Sequence, residues 1–270
     1  NFQKPLSSPP SIVRSVYITS WSAVSKNYLL YLDQLFKTTQ INSVVIDIKD
    51  YSGIVFYNTG AEKVREYKNF RQGSIDINKL LEHFHSRGIY VIARINVFND
   101  VALAKARPDL AVYDKSKTQD VSKPVLWQDN SKLYWLDPAS TEVQDYNIEL
   151  ARDAIMQGFD EVNFDYIRFP SDGKIEDIGY PIKDENTVRQ DVIKSFFKKI
   201  RESLPEDKLS VDLFGQTTVI TNGDMGVGQV LEDAFEYFDY VYPMVYPSHY
   251  IDGFLGYDNP SEHPYEVVKN

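Results

Sequence analysis

No cysteine occurs among the 270 residues, so the chain has no disulfide, thiolate zinc site, iron–sulfur cluster or cysteine nucleophile. Positive charge is outnumbered: 29 Lys and Arg face 39 Asp and Glu, for a formal charge of -10. With no strongly basic run to neutralise phosphates, nucleic acid is not an expected partner. No stretch is apolar enough to span a bilayer. Histidine is scarce, at four residues, and His83 and His85 are two apart on a predicted helix, so they face different directions and form no helical metal pair. Gly223, Gly226 and Gly228 lack the Lys-Ser/Thr ending of a phosphate loop. No metal and no cofactor is expected.

The first residues, Asn1-Phe-Gln-Lys-Pro-Leu-Ser-Ser-Pro-Pro10, show neither helical nor strand period, and residues 1–11 are expected to be a linker or tail. The missing initiator Met points to a signal peptide or membrane anchor upstream, hence to a secreted or envelope-anchored, extracytoplasmic protein. Zero cysteine fits that setting and fits the cytosol nearly as well.

What is present is a core: 43% of residues are hydrophobic, enough for one barrel-sized domain over residues 12–270. Six short runs rich in Val, Ile, Tyr and Phe, at 14–19, 44–49, 90–96, 161–166, 209–214 and 240–246, read as strands. Between them, 26–37, 75–87, 142–157 and 186–204 carry helical spacing or helix start and stop signals, and Gly88 and Gly158 stand where helices should end. This alternation predicts βα units around a parallel sheet, a TIM-type (β/α)8 barrel. Six strands are two short of eight, and the favoured expectation is that the last two βα units are absent from this polypeptide. An open sheet, or strands concealed in the loops, are the alternatives. The long connections at 51–74 and 99–141 are expected to build a site at the carboxyl ends of the strands.

Strand side chains alternate between faces. In Val44-Val-Ile-Asp-Ile-Lys49 the apolar row Val44, Ile46 and Ile48 leaves Val45, Asp47 and Lys49 on the inner face. The same division turns Arg94 and Asn96, Asn163 and Asp165, Ser210 and Asp212, Ser15, Tyr17 and Thr19, and Tyr242, Met244 and Tyr246 inward. Buried on both faces for packing alone, such strands would be continuously apolar, so these polar rows belong in a wet pocket.

Glycosidic hydrolysis needs two carboxyl groups flanking the bond. Asp165 and Asp212, at the ends of adjacent predicted strands, are the best catalytic pair. An ion pair with Arg168 or a turn hydrogen bond is the structural alternative for Asp165, and pairing with Lys49 or Arg94 is that for Asp212. Asp47 is the reserve carboxylate, more readily read as a salt-bridge partner of Lys49 or Arg94. Lys49, Arg94, Arg168 and Tyr242 are expected to position sugar. Trp127, Trp135 and Tyr246 offer aromatic faces for stacking, and His249 is either a ligand contact or an exposed loop histidine.

The segment Gly158-Phe-Asp-Glu-Val-Asn-Phe-Asp-Tyr-Ile-Arg-Phe-Pro-Ser-Asp-Gly173, with Val45-Ile-Asp-Ile-Lys-Asp50 and Tyr242-Pro-Met-Val-Tyr-Pro-Ser-His-Tyr250, resembles a glycoside hydrolase family of bacterial TIM-barrel proteins. That resemblance implies a barrel, a carbohydrate substrate and an exported location. More distantly the chain is similar to chitinase-type barrels through Asp165 and Met244-Val-Tyr246. Those enzymes have a glutamate two residues beyond the last motif Asp, where this chain has Ile167, so their substrate-assisted mechanism does not carry over. The expectation is a glycosidase acting on O-glycosidic bonds of a polysaccharide, with a non-catalytic carbohydrate-binding barrel as the alternative and an envelope scaffold third.

Overall fold

All six predicted strands form, and they lie side by side in the order of the chain. In the computed structural model, which describes residues 2–220 and 222–269, the strands are β1 (Ser15–Ile18), β2 (Ser43–Lys49), β3 (Val55–Tyr57), β4 (Phe70–Ile75), β5 (Tyr90–Asn96), β6 (Tyr113–Asp114), β7 (Glu161–Asp165), β8 (Ile178–Gly179), β9 (Leu209–Phe214) and β10 (Tyr240–Met244). The helices are α1 (Ser20–Ala23), α2 (Lys26–Thr38), α3 (Glu62–Glu66), α4 (Ile77–His85), α5 (Val101–Ala106), α6 (Thr141–Gln157), α7 (Arg189–Ser203), α8 (Leu231–Phe235) and α9 (Pro264–Lys269).

Strands β1, β2, β5, β7, β9 and β10 pair in parallel, each with the next. The fold is therefore mixed α/β around a parallel sheet. β1 and β10 are not paired with each other among the described residues, so the six strands form one sequential parallel series with β1 and β10 at its two ends. Strands do occur inside the first long connection. β3 joins the end of β2 antiparallel at Lys49↔Val55 and carries β4 alongside, and these two extend the sheet without entering the parallel series. Among the described residues the leading segment has no helix or strand before β1, yet it is tied down where the Leu6 amide donates to Asp160 Oδ1 at 2.5 Å.

The outer rows behave as alternation predicts. Val44, Ile46, Ile48, Val91, Ala93, Ile95, Val162, Phe164, Leu209, Val211 and Leu213 are fully buried, and each large one adds roughly 1.5–3 kcal/mol by leaving water. Helix α6 begins where the Ser140 hydroxyl accepts from Val143 N and ends on Gly158 at φ 107. That left-handed turn suits glycine, and a Cβ there would stand 2.5 Å from the Gln3 carbonyl oxygen.

Lys49 departs from expectation. The β2–β5 register shifts between Asp47 and Lys49, and this irregularity turns Lys49 out of the inner row. Its ammonium is fully buried between Asp100 and Asn147, at 2.8 Å from each. Burial pulls its pKa down against the opposing pull of Asp100. Asp100 also caps α5 through Leu103 N at 2.8 Å. The chain clears this carboxylate only because residue 53 is glycine, since a Cβ there would lie 1.8 Å from Asp100 Oδ1. Lys49 is thus a fold residue rather than a sugar contact. Lys49→Met strands Asp100 without its counter-ion and is expected to destabilise by about 3–5 kcal/mol in a urea titration, whereas a loss below about 1 kcal/mol would show the pair to be solvated.

Candidate active site

The carboxyl ends of β1, β5, β7, β9 and β10 open into one cleft of about 790 Å³. Sheet register explains why its polar residues meet. Asp47 stands opposite Arg94, Arg94 opposite Asn163, and Asn163 opposite Ser210, while Asn96 faces Asp165 and Asp212 faces Tyr242. Two neighbouring levels of one inner face therefore carry the predicted charges.

Arg94 is the centre of the cluster. Its Nη1 lies 2.5 Å from Asp47 Oδ1, its Nη2 donates to Asp165 Oδ2, and its Nε makes an ion-pair contact with Asp212 Oδ2 at 3.6 Å. Burial opposes the guanidinium charge, but Asp165, Asp47 and Asp212 outweigh it and hold Arg94 above its ordinary pKa. The Tyr17 hydroxyl donates to the other oxygen of Asp47. Asp47 is pushed up by burial, against the pull of Arg94 and Tyr17.

The two predicted catalytic carboxyls are held differently. Asp165 takes the Arg94 contact and, through Oδ1, the Tyr166 amide at 2.5 Å. Tyr166 adopts φ 51, a left-handed conformation uncommon for a bulky residue, and this bend turns its N–H onto the preceding carboxylate. Among the described residues Asp212 accepts a hydrogen bond only from Asn163 Nδ2, at 3.0 Å. Asn163 also donates to Ser210 Oγ at 3.1 Å. Burial, followed by the neighbouring charge of Asp165, pushes Asp212 up to about 8 despite Asn163 and Arg94. Its protonated form therefore persists to higher pH than that of an exposed aspartate. Two carboxyls held so differently in one site is an arrangement that acid/base chemistry uses.

Of the predicted site residues, Asp165, Asp212, Arg94, Arg168, Trp135, Tyr242, Tyr246 and His249 all line the cleft. Asp47 lies behind Arg94 rather than on the wall. The alternative pairing of Asp165 with Arg168 is not made among the described residues, because Asp165 goes to Arg94. Tyr242 presents its ring, its hydroxyl donating to the buried Glu161 at 3.1 Å. Trp135 is anchored by its indole N–H on Asp129 Oδ2 at 2.9 Å, and Tyr246 packs edge-on to His249 at the rim.

Trp127, by contrast, is a packing residue. It is 2% exposed, donates its indole N–H to the Lys174 carbonyl at 3.0 Å and packs its ring on Gly173. Tyr17, Asn163, Tyr166, Phe214 and Asp129 also border the cleft; Asn163 and Tyr166 lie inside the motif at 158–173, which does not by itself mark them as site residues, and the other three lie in no motif. Alternation does turn Tyr17 and Asn163 inward, whereas Asp129 arrives on a loop with no period to reveal it. Among the described residues no group of three His, Asp or Glu is arranged to hold a metal ion.

The raised pKa of Asp212 has a consequence for folding. Unfolded, an Asp titrates near about 4, so the proton Asp212 binds stabilises the fold fully below that pH, and the contribution is lost as pH rises through about 8. Asp212→Asn, which cannot ionise, is therefore expected to melt progressively higher than the wild type as pH rises from about 4 to beyond 8. A pH-independent difference in Tm would mean that Asp212 titrates like an exposed carboxyl.

No curated protein matches the chain. Among solved structures, a hypothetical protein from Ruminiclostridium thermocellum is 35% identical with a TM-score of 0.64, the alignment covering 73% of this chain and 96% of that one. An α-galactosidase from Thermus thermophilus in complex with stachyose (16% identity, TM-score 0.51) aligns over 88% of this chain. A GH20 exo-β-N-acetylglucosaminidase from Vibrio harveyi in complex with N-acetylglucosamine (12% identity, TM-score 0.56) aligns over 89%. The chain spans 45% and 42% of the length of these two enzymes, and at such identity the likeness is one of fold. Residues 15–270 match the family model described as "Putative glycosyl hydrolase domain", and the chain belongs to that family.

Proposed function

We propose that the chain is a glycosidase that cleaves O-glycosidic bonds of a polysaccharide, with Asp212 as proton donor and Asp165 as its partner carboxylate. The observation that carries this reading is the pair itself: two carboxyls on one guanidinium, at the wall of an open cleft, with one raised to about 8. Family membership supports glycosyl hydrolysis in general.

In this reading the Asp212 proton passes to the glycosidic oxygen as its bond to the anomeric carbon breaks, Asp165 faces the positive charge that develops on the ring, and a water then adds to the anomeric carbon and gives up a proton to the carboxylate pair, which restores it. Arg94 Nε stands beside Asp212, where it stabilises the carboxylate left behind. Because the charge of Asp165 helps to hold the proton on Asp212, positive charge building up beside Asp165 weakens that hold as the leaving oxygen needs the proton. Asp47 and Tyr17 fix the guanidinium from behind. Phe214, Tyr242 and Tyr246 supply ring faces along the walls, backed by Trp135, which is buried against Arg168 and Tyr166. At about 790 Å³ the cleft has the size of an ordinary ligand site, whose usual range is roughly 300–1,000 Å³.

The six parallel strands are, in the same reading, part of a (β/α)8 barrel, supported by their sequential order and by a site at their carboxyl ends. A polysaccharide-degrading role also fits an extracytoplasmic protein.

Asp165→Asn and Asp212→Asn are each expected to lower kcat by about 10²-fold or more while retaining ligand binding. Wild-type activity should fall as pH rises through about 8, since the donor must keep its proton. Reducing-end release across a polysaccharide panel measures all three effects. Unchanged turnover in Asp165→Asn would remove the assignment, and binding without release by the wild type would make the chain a carbohydrate-binding protein.

A further inference from the structure

Two cations are buried among the described residues, Lys49 and Arg168. Lys49 has Asp100 as its counter-ion. Arg168 has none: no carboxylate comes within ion-pair distance of it among the described residues, and its Nη1 donates to two neutral oxygens, the Phe169 carbonyl at 3.1 Å and Ser171 Oγ at 3.0 Å. It is 7% exposed, and its guanidinium carbon lies 4.9, 5.1 and 4.5 Å from the ring centres of Trp135, Tyr166 and Phe214.

A guanidinium has five N–H donors in a planar fork that matches carboxylate and sulfate oxygens. Three aromatic faces hold the plane of Arg168 but accept few of those donors. Burial pulls its pKa down against the weaker opposing pull of Tyr166, Asp165, Asp172 and Asp129, and none of these carboxylates pairs with it directly. Since Arg168 lines the same cleft as Asp165 and Asp212, the compensating charge can arrive with a ligand. Arg94 cannot serve that purpose, because three carboxyls already surround it. Asp129 and Asp172 also border the cleft and temper its potential, but neither pairs with Arg168. Ser171 Oγ accepts from Arg168 and keeps its own proton to donate beside the fork.

We infer that Arg168 and Ser171 form a subsite for an oxyanion on the sugar, so that the substrate is an acidic glycan. Uronate carboxylates and sulfate esters share this chemistry. The inference rests on the glycosidase reading of the cleft, and the test separates the two.

Titration calorimetry at fixed ionic strength would compare trigalacturonate with galactotriose, glucuronate with glucose, and glucose 6-sulfate with glucose, on the wild type, Arg168→Lys and Arg168→Gln. At least one acidic sugar should bind the wild type about tenfold or more tightly than its neutral counterpart. The preference should shrink in Arg168→Lys and vanish in Arg168→Gln. Preference for the sulfate ester alone identifies the oxyanion as sulfate, and preference for the uronates alone identifies it as carboxylate. If no acidic sugar outbinds its neutral counterpart on the wild type, including the case where nothing binds, the subsite is overturned without reliance on any variant. A preference unchanged in folded Arg168→Gln overturns it as well. Acid-selective binding with no cleavage of any acidic glycan counts against the glycosidase reading alone, and cleavage of neutral glycans without acid preference counts against the subsite alone.

Discussion

Arg94 is the group on which the site depends. One guanidinium, held at 16% side-chain exposure, touches carboxyls from three different strands. In a partly desolvated pocket a single positive charge does not balance three carboxylates, which favours keeping a proton on the acid least supported by its neighbours. Local hydrogen bonding decides which. Asp47 has the Tyr17 hydroxyl and Asp165 the Tyr166 amide, each in addition to a direct Arg94 contact. Asp212 has a 3.6 Å ion-pair contact and one amide donor, and it is the acid pushed up to about 8. The division of labour between the two proposed catalytic carboxyls thus follows from how well each is solvated by the protein.

The same few residues after β7 serve two purposes. Asp165 turns toward Arg94, and Tyr166, in its left-handed conformation, supplies the amide that holds it. Three positions beyond Asp165, Arg168 lies among aromatic rings contributed by the loop after β5, by the β7 turn itself and by β9. Asp129 fixes Trp135 through the indole N–H, so the long connection between β5 and α6 builds one wall of the cleft. The strand ends set the chemistry, and the loop sets the wall against which a substrate lies.

Elements with a strict period are legible in the residue pattern alone. All six parallel strands, the four main helices and the inward rows of β5, β7 and β9 follow from alternation, because a side chain on a regular strand has only two faces to choose from. Lys49 breaks the rule one step past Asp47, at a register shift that leaves no trace in residue type. Trp127 and Trp135 both sit in an aperiodic loop and carry the same side chain, yet one packs on Gly173 and the other lines the cleft.

The sequence by itself determined which residues form the six parallel strands, that one face of those strands is polar, and that Asp165, Asp212 and Arg94 share that face. Those properties are local, set by backbone geometry and the partition of apolar side chains out of water. Only the tertiary structure decided that Arg94 rather than Arg168 takes Asp165, that Asp212 is the carboxyl with the fewest donors, that Lys49 belongs to Asp100, and that Arg168 is left without a direct ion-pair partner among the described residues. Those outcomes depend on distances of a few ångströms between strands and loops far apart in the chain, and on how much water each charge loses there.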